Sequence, residues 1–239
     1  MKAESLKKHA AEFLTVFLGV ILAFLAEDWR EYRGDRAEEA QVLESLAGDF
    51  VENREERDIR MAWQTKATAN LIELDAQLAS APIGSVVPIS DTLLTATLYA
   101  ATYDPARGIV DALLSSGRLG IIRDADLRAA IAEWPSYVDD AAEDQSGQRQ
   151  YVDEAIVPYF LEHDLPMRHL IVGHLDWARG EASDEFNSGS VPIRVTEDLR
   201  TLISMRVFIS RLASADLRSL ARHAGDIEQM LGVGPAPTP

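Results

Sequence analysis

The sequence predicts an all-α protein: an N-terminal transmembrane helix that continues into a long helix, followed by a helical bundle with a long C-terminal helix. Three observations carry this. Residues 13–26 (FLTVFLGVILAFLA) hold no charge and are followed at once by Glu27, Asp28 and Trp29. Beyond them, apolar residues recur mainly at spacings of three and four with charges between, the signature of an amphipathic helix. The same spacing returns over the last stretch, from Thr196 to Leu231.

The apolar run reads as a membrane anchor. The uncharged residues alone give about 21 Å of helix, but the stretch from Ala10 to Trp29 gives about 30 Å, close to one hydrocarbon core. Lys2, Lys7 and Lys8 flank one side, and Trp29 and Tyr32 stand on the other as interface anchors, where aromatic residues collect. A cleaved signal peptide fits less well. Cutting after Ala26 or Ala23 places Phe24 or Ile21 where a small residue is needed. A buried helix of a soluble domain is the remaining alternative, because the uncharged run is short for a span. Glu12, Val16, Gly19 and Ala23 lie on one helical face, and Gly19 with Ala23 forms a small-xxx-small pair that lets a partner backbone approach closely in lipid. This is the predicted association face. Glu12 sits at head-group level or at the edge of an oligomer seam, where an ionisable group would be functional.

Orientation is nearly tied, with three lysines before the span and Arg30, Arg33 and Arg36 after it. The short leading tail tips the prediction to the amino terminus inside and the large domain outside. The chain has no cysteine, which excludes disulfides and thiolate metal sites and suits either compartment.

Residues 1–28 form the tail and anchor, 29–231 a helical bundle domain, and 232–239 (GVGPAPTP) a disordered tail. The first long helix, carrying Val42, Leu43, Leu46, Phe50, Ile59, Leu71, Leu74 and Leu78, extends to about Ala79, with a possible break at Gly48. Residues 80–88 read as a linker, and Ser90 with Asp91 caps a helix through Tyr103 that Asp104-Pro105 ends. A short helix over 109–114 leads to a turn at Ser115-Ser116-Gly117. Asp124 opens a helix with Leu127, Ala130, Ile131 and Trp134, interrupted at Pro135. Further helices cover 139–162 and 167–178, and 179–195 reads as a loop. Thr196 caps the last helix, which should pair antiparallel with the first.

Two blocks carry a resemblance. The segment Glu12-x6-Gly19-x3-Ala23-x5-Trp29, with Leu43 and Leu46 beyond it, resembles the N-terminal signature of a family of uncharacterised bacterial single-span membrane proteins, a domain of unknown function. Residues 112–119 (ALLSSGRL), with Ile122, Leu127, Arg128 and Ile131, resemble that family's central helix-turn-helix. Glu27 and Asp28 stand where the pattern has amides, and Pro135 follows Trp134 where tyrosines are usual. The resemblance implies a membrane location and an all-helical build, and it brings no activity with it.

The balance of 39 acidic against 23 basic residues, a formal charge of −16, argues against nucleic acid or anionic lipid as a partner of the main domain. His163, Asp164, His169 and His174, with Glu162 and Asp176 nearby, offer nitrogen and oxygen ligands for a metal. The signal is weak, since five residues separate His169 from His174, about 140° on a helix. Ser115-Ser116-Gly117 lacks the G-x-S-x-G context of a nucleophile. Arg118 and Arg123 beside it either bind an anionic ligand or serve as charge partners for a helix end. Trp63, Trp134 and Trp177 read as core or interface anchors. No phosphate loop, metalloprotease helix or kinase signature occurs, so no enzyme and no cofactor is expected. The predicted role is a membrane-anchored interaction or scaffold protein whose partners are the bilayer and a second copy or another membrane protein. The alternatives are a ligand-sensing helical bundle, or an oligomeric pore with Glu12 near one end.

Overall fold

The computed structural model describes residues 2–100, 102–165, 167, 170 and 189–234, with side chains at residue 14 and from residue 17 onward. Helix α1 (Lys2–Ser80) is continuous over 79 residues, roughly 120 Å. Gly48 does not break it. That glycine is exposed with open space about its Cβ position, and a lone glycine costs only about 1 kcal/mol relative to alanine, less than the packing on either side supplies. Up to residue 37 every described side chain is exposed; the first buried one is Glu39, followed by Leu46 and Phe50. The helix is therefore half free stalk and half bundle member.

The chain continues through β1 (Val86–Ser90), α2 (Asp91–Ala96), α3 (Gly108–Ser115), a 3-10 turn at Arg118–Ile121, and α4 (Ala125–Tyr151). A π-helical turn at Val152–Ile156 joins α4 to α5 (Val157–Glu162), and β2 (Ser190–Arg194) precedes α6 (Glu197–Met230). The N-caps expected at Ser90, Asp124 and Thr196 all form, each side-chain oxygen accepting a backbone N–H of the first turn.

Among the described residues three helices make the bundle. Along α1 from Arg54 to Gln64 to Asp75, the partners on α6 run backwards from Glu228 to Ser214 to Ser204, so the first and last helices are antiparallel, as expected. Helix α4 also opposes α6: His223 meets the carbonyl of Ala130, and the Tyr151 hydroxyl donates to the carbonyl of Leu202. The core is apolar at both ends. Near the stalk it holds Leu46, Phe50, Ile131, Trp134, Leu220 and Ile227, and at the far end Leu78, Ile89, Phe160, Leu199 and Ile203. Between them lies a layer of buried polar side chains: Gln64, Thr68, Gln148, Arg206, Ser210 and Ser214.

Three expectations change. The build is predominantly helical, but β1 and β2 pair antiparallel, with Pro88 opposite Pro192, so residues read as linker and loop form a small ribbon over the far end. Proline survives there because a two-stranded ribbon has only edges, and a residue whose N–H would face outward loses no ladder bond. Helix α4 runs through Pro135 without a break. Ile131, Trp134 and Val138 are all buried around that position, and their packing outweighs the one hydrogen bond that proline deletes. Helix α2 stops at Ala96 rather than Tyr103, and the backbone carbonyls of Thr97 and Tyr99 instead accept from the Arg206 guanidinium.

Candidate functional site at the neck of the stalk

Leu14, Phe17, Leu18, Val20, Ile21, Leu22, Phe24 and Leu25 are each between 37% and 66% exposed. At 100° per residue these eight fan over about 200° of the helix circumference, and Gly19, Ala23 and Ala26 occupy the remaining side. Gly19 and Ala23 share one exposed face, and nothing approaches the Cβ position of Gly19. The side chains of Glu12 and Val16, the other half of the predicted association face, lie outside the described residues. Among the described residues no helix is long and apolar enough to cross a membrane.

Below this segment the stalk enters a collar. Trp29 and Tyr32 are exposed and covered by cations: the Arg33 guanidinium sits 4.7 Å from the Trp29 ring centre, and those of Arg123 and Arg36 sit 4.6 and 5.8 Å from that of Tyr32. Hydrogen bonding from Arg123, then from Arg36, holds the Tyr32 phenol below its ordinary pKa. Two helical turns further, Glu39 is buried and accepts two bonds at 2.8 Å, from the backbone N–H of Arg123 and from the Arg36 guanidinium. The Arg123 bond first, and the Arg36 bond with it, keep the Glu39 carboxyl below the usual range against the opposing effect of burial. Arg118 pairs with Glu38.

The collar has this shape because of the turn read at Ser115-Ser116-Gly117. Gly117 takes a left-handed conformation, φ 70°, which costs glycine nothing, and the chain reverses into the 3-10 turn. Ile122 is then fully buried, and Arg128 donates to its carbonyl at 2.7 Å, so residues 117–124 are pinned against α1. Arg118 and Arg123 thus serve as charge partners for the stalk, and their guanidinium groups face Glu38 and Glu39.

Of the metal candidates, only His163 and Asp164 fall among the described residues. The His163 ring stacks on Tyr159 at 4.0 Å, with its Nδ1 2.8 Å from the Tyr159 carbonyl oxygen. Asp164 takes a positive φ of 53° at the end of α5, and His169 and His174 lie outside the described residues. No group of three metal-ligating side chains occurs among the described residues. Trp134 is a core anchor, 5.0 Å from the ring of Phe50, Trp63 is half-buried at the surface with Arg60 over its ring, and Trp177 is outside the described residues.

Sequence reasoning missed Glu39 and the polar layer. A readable signal existed for the latter: Gln64 and Thr68 continue the row of Leu71 and Leu78, and Ser210 and Ser214 continue that of Ile203 and Val207, so polar residues occupy core-facing positions on both helices. Against family models, curated proteins and solved structures alike, the chain finds no match.

Proposed function

We propose that the chain is a membrane-anchored helical interaction or scaffold protein, held in the bacterial inner membrane by α1 and self-associating through the face of Gly19 and Ala23, with the bundle in the periplasm. The observation that carries this reading is the apolar stalk. Opposite the small residues Gly19 and Ala23, eight large apolar side chains stand exposed on one broad side of this stretch of α1. Leaving them in water costs on the order of 10 kcal/mol at 1.5–3 kcal/mol for each complete burial, discounted for partial exposure. A contiguous apolar surface of this kind calls for lipid or for other protein. With Ala10 to Trp29 matching one hydrocarbon thickness, lipid covers the broad side of large residues and a second copy covers the side of Gly19 and Ala23. The collar of cations over Trp29 and Tyr32 suits the head-group boundary, and the absence of a break in α1 sets the bundle a few turns from that boundary.

The test is the mass of the full chain in mild detergent, by light scattering, beside Gly19→Leu and a chain beginning at Trp29. A defined oligomer that Gly19→Leu dissolves supports assembly through the anchor. Monomers in all three sink self-association and leave a different membrane protein as the partner. A full chain that stays soluble and monodisperse without detergent sinks the anchor itself.

A further inference from the structure

Arg206 is fully buried, and among the described residues no carboxylate pairs with it. Its guanidinium donates to the carbonyls of Thr97 and Tyr99 and to the Gln148 side-chain oxygen, the last at 3.2 Å. Burial lowers its pKa to about 10, so the group is still charged at neutral pH. A lone buried cation costs several kcal/mol unless an opposite charge or a full set of dipoles meets it. Three carbonyl oxygens meet part of that cost.

Beside it are two further polar groups without partners. The Gln148 oxygen already accepts from Arg206 and from Gln64, and the Gln145 oxygen accepts from the backbone N–H of Tyr103 at 2.6 Å. This fixes which end of each amide points away. The amide nitrogens of Gln145 and Gln148 are left with no acceptor, although the residues are only 3% and 1% exposed. Both side chains line one cavity of about 10 Å³, together with Arg60, Tyr99, Tyr103 and Leu217. That is the lower limit for one water-sized occupant, so a halide fits only if the lining side chains move outward by a few tenths of an ångström. Arg60 stands at its edge, partly exposed and held by Glu56, and Thr102 roofs it from the irregular segment after α2.

We propose that this cavity is a binding site for one small monovalent anion of the halide class, held by the side-chain amides of Gln145 and Gln148 and balanced by the buried charge of Arg206. Both orphan groups are donors, the neighbouring charge is positive, and a second cation lies at the rim, so the site favours an occupant that only accepts hydrogen bonds. The bound ion ties α4 to the segment that follows α2 and completes the polar layer between the two apolar clusters. Phosphate, sulfate and carboxylates are too large for the space.

The experiment uses the full chain in neutral detergent at constant ionic strength, with sodium gluconate exchanged stepwise for sodium chloride or bromide, and reads the thermal unfolding midpoint. Halide should raise the midpoint saturably, shifting the folding equilibrium about a hundredfold at a hundredfold excess over Kd. Gln145→Leu, which keeps the Arg206 contacts, should flatten that response while retaining a cooperative transition. Crystals grown in bromide should show one anomalous peak between the two amide nitrogens. A midpoint indifferent to halide, or a bromide-soaked crystal with only a water at that position, overturns the proposal. So does a halide response that Gln145→Leu leaves intact. Gln145→Asn serves as a second variant should the leucine fail to fold: its shorter amide should weaken the halide response, and an unchanged response again counts against the site.

Discussion

Glu228 of α6 and Arg57 of α1 are joined at 2.8 Å, with the carboxylate fully buried and Arg54 bonded to its other oxygen at the same distance. The pair closes the stalk end of the bundle, and Arg54 also reaches the carbonyl of Val233 just past the end of α6. Removing Glu228 leaves the buried Arg57 with only the exposed Asp58, among the described residues, as counter-charge, and breaking a buried pair in this way costs about 3–5 kcal/mol. Glu228→Ala should lower the unfolding free energy by that amount in urea titrations of the full chain in detergent. A loss under about 1 kcal/mol would show that Arg54 and Arg57 find water instead.

Trp134 lies against Phe50 at the centre of the cluster nearest the stalk and is 1% exposed. Trp134→Ala should cost about 3–5 kcal/mol, and Trp134→Phe clearly less, because most of the ring volume is kept. Equal losses for the two variants in the same titration would mean that the site collapses around either residue.

The collar should loosen in acid. Glu39 has a folded pKa below its ordinary 4.5, so its contribution is fully present above that value and is lost as pH falls through the lower folded one. Amide exchange over residues 118–123, corrected for the intrinsic rate, should accelerate below about pH 4. Glu39→Gln should show fast exchange already at pH 6 and little further change. Protection that persists unchanged in the variant would place the hold on the collar elsewhere.

An opposite dependence is expected where α4 meets α6. Asp144 faces Asp216, and burial first, then that neighbouring carboxyl, pushes its pKa from 3.8 up to about 6. A carboxyl raised in the fold favours the native state most at low pH and ceases to do so as pH rises through the folded value. Asp144→Asn should therefore raise the thermal midpoint at pH 8 and leave it nearly unchanged at pH 4. A gain of the same size at both values would point to packing rather than to charge.

The helices were legible in the chain because their signals are local. Ser90, Asp124 and Thr196 announce their caps, and Leu127, Ile131 and Trp134 announce the buried face of α4. What was not legible depends on residues far apart. Val86 to Ser90 pairs with residues about a hundred positions later, and neither strand has an alternation long enough to show in isolation. Pro135 looked like a stop because its cost is local and its compensation, the packing of Ile131 and Val138, is tertiary. Arg118 and Arg123 were noticed, but only the folded turn reveals that Glu38 and Glu39 are what they hold. Arg206 looks in sequence like any charge on a long polar helix, and its burial is decided by where α2 ends.

An unbroken helix transmits rotational phase. Gly19 and Ile59 are separated by about eleven whole turns of α1, so the small-residue face in the stalk and the exposed side of the bundle bearing Glu52, Glu55 and Ile59 look in nearly the same direction. A neighbour seated on Gly19 and Ala23 therefore meets that acidic side further along the same helix, whatever its affinity for it. Inserting one residue between Trp29 and Tyr32 swings the bundle about 100° around such a neighbour, whereas four bring it back to within about 40°. Function that depends on pairing should follow that cycle rather than the added length.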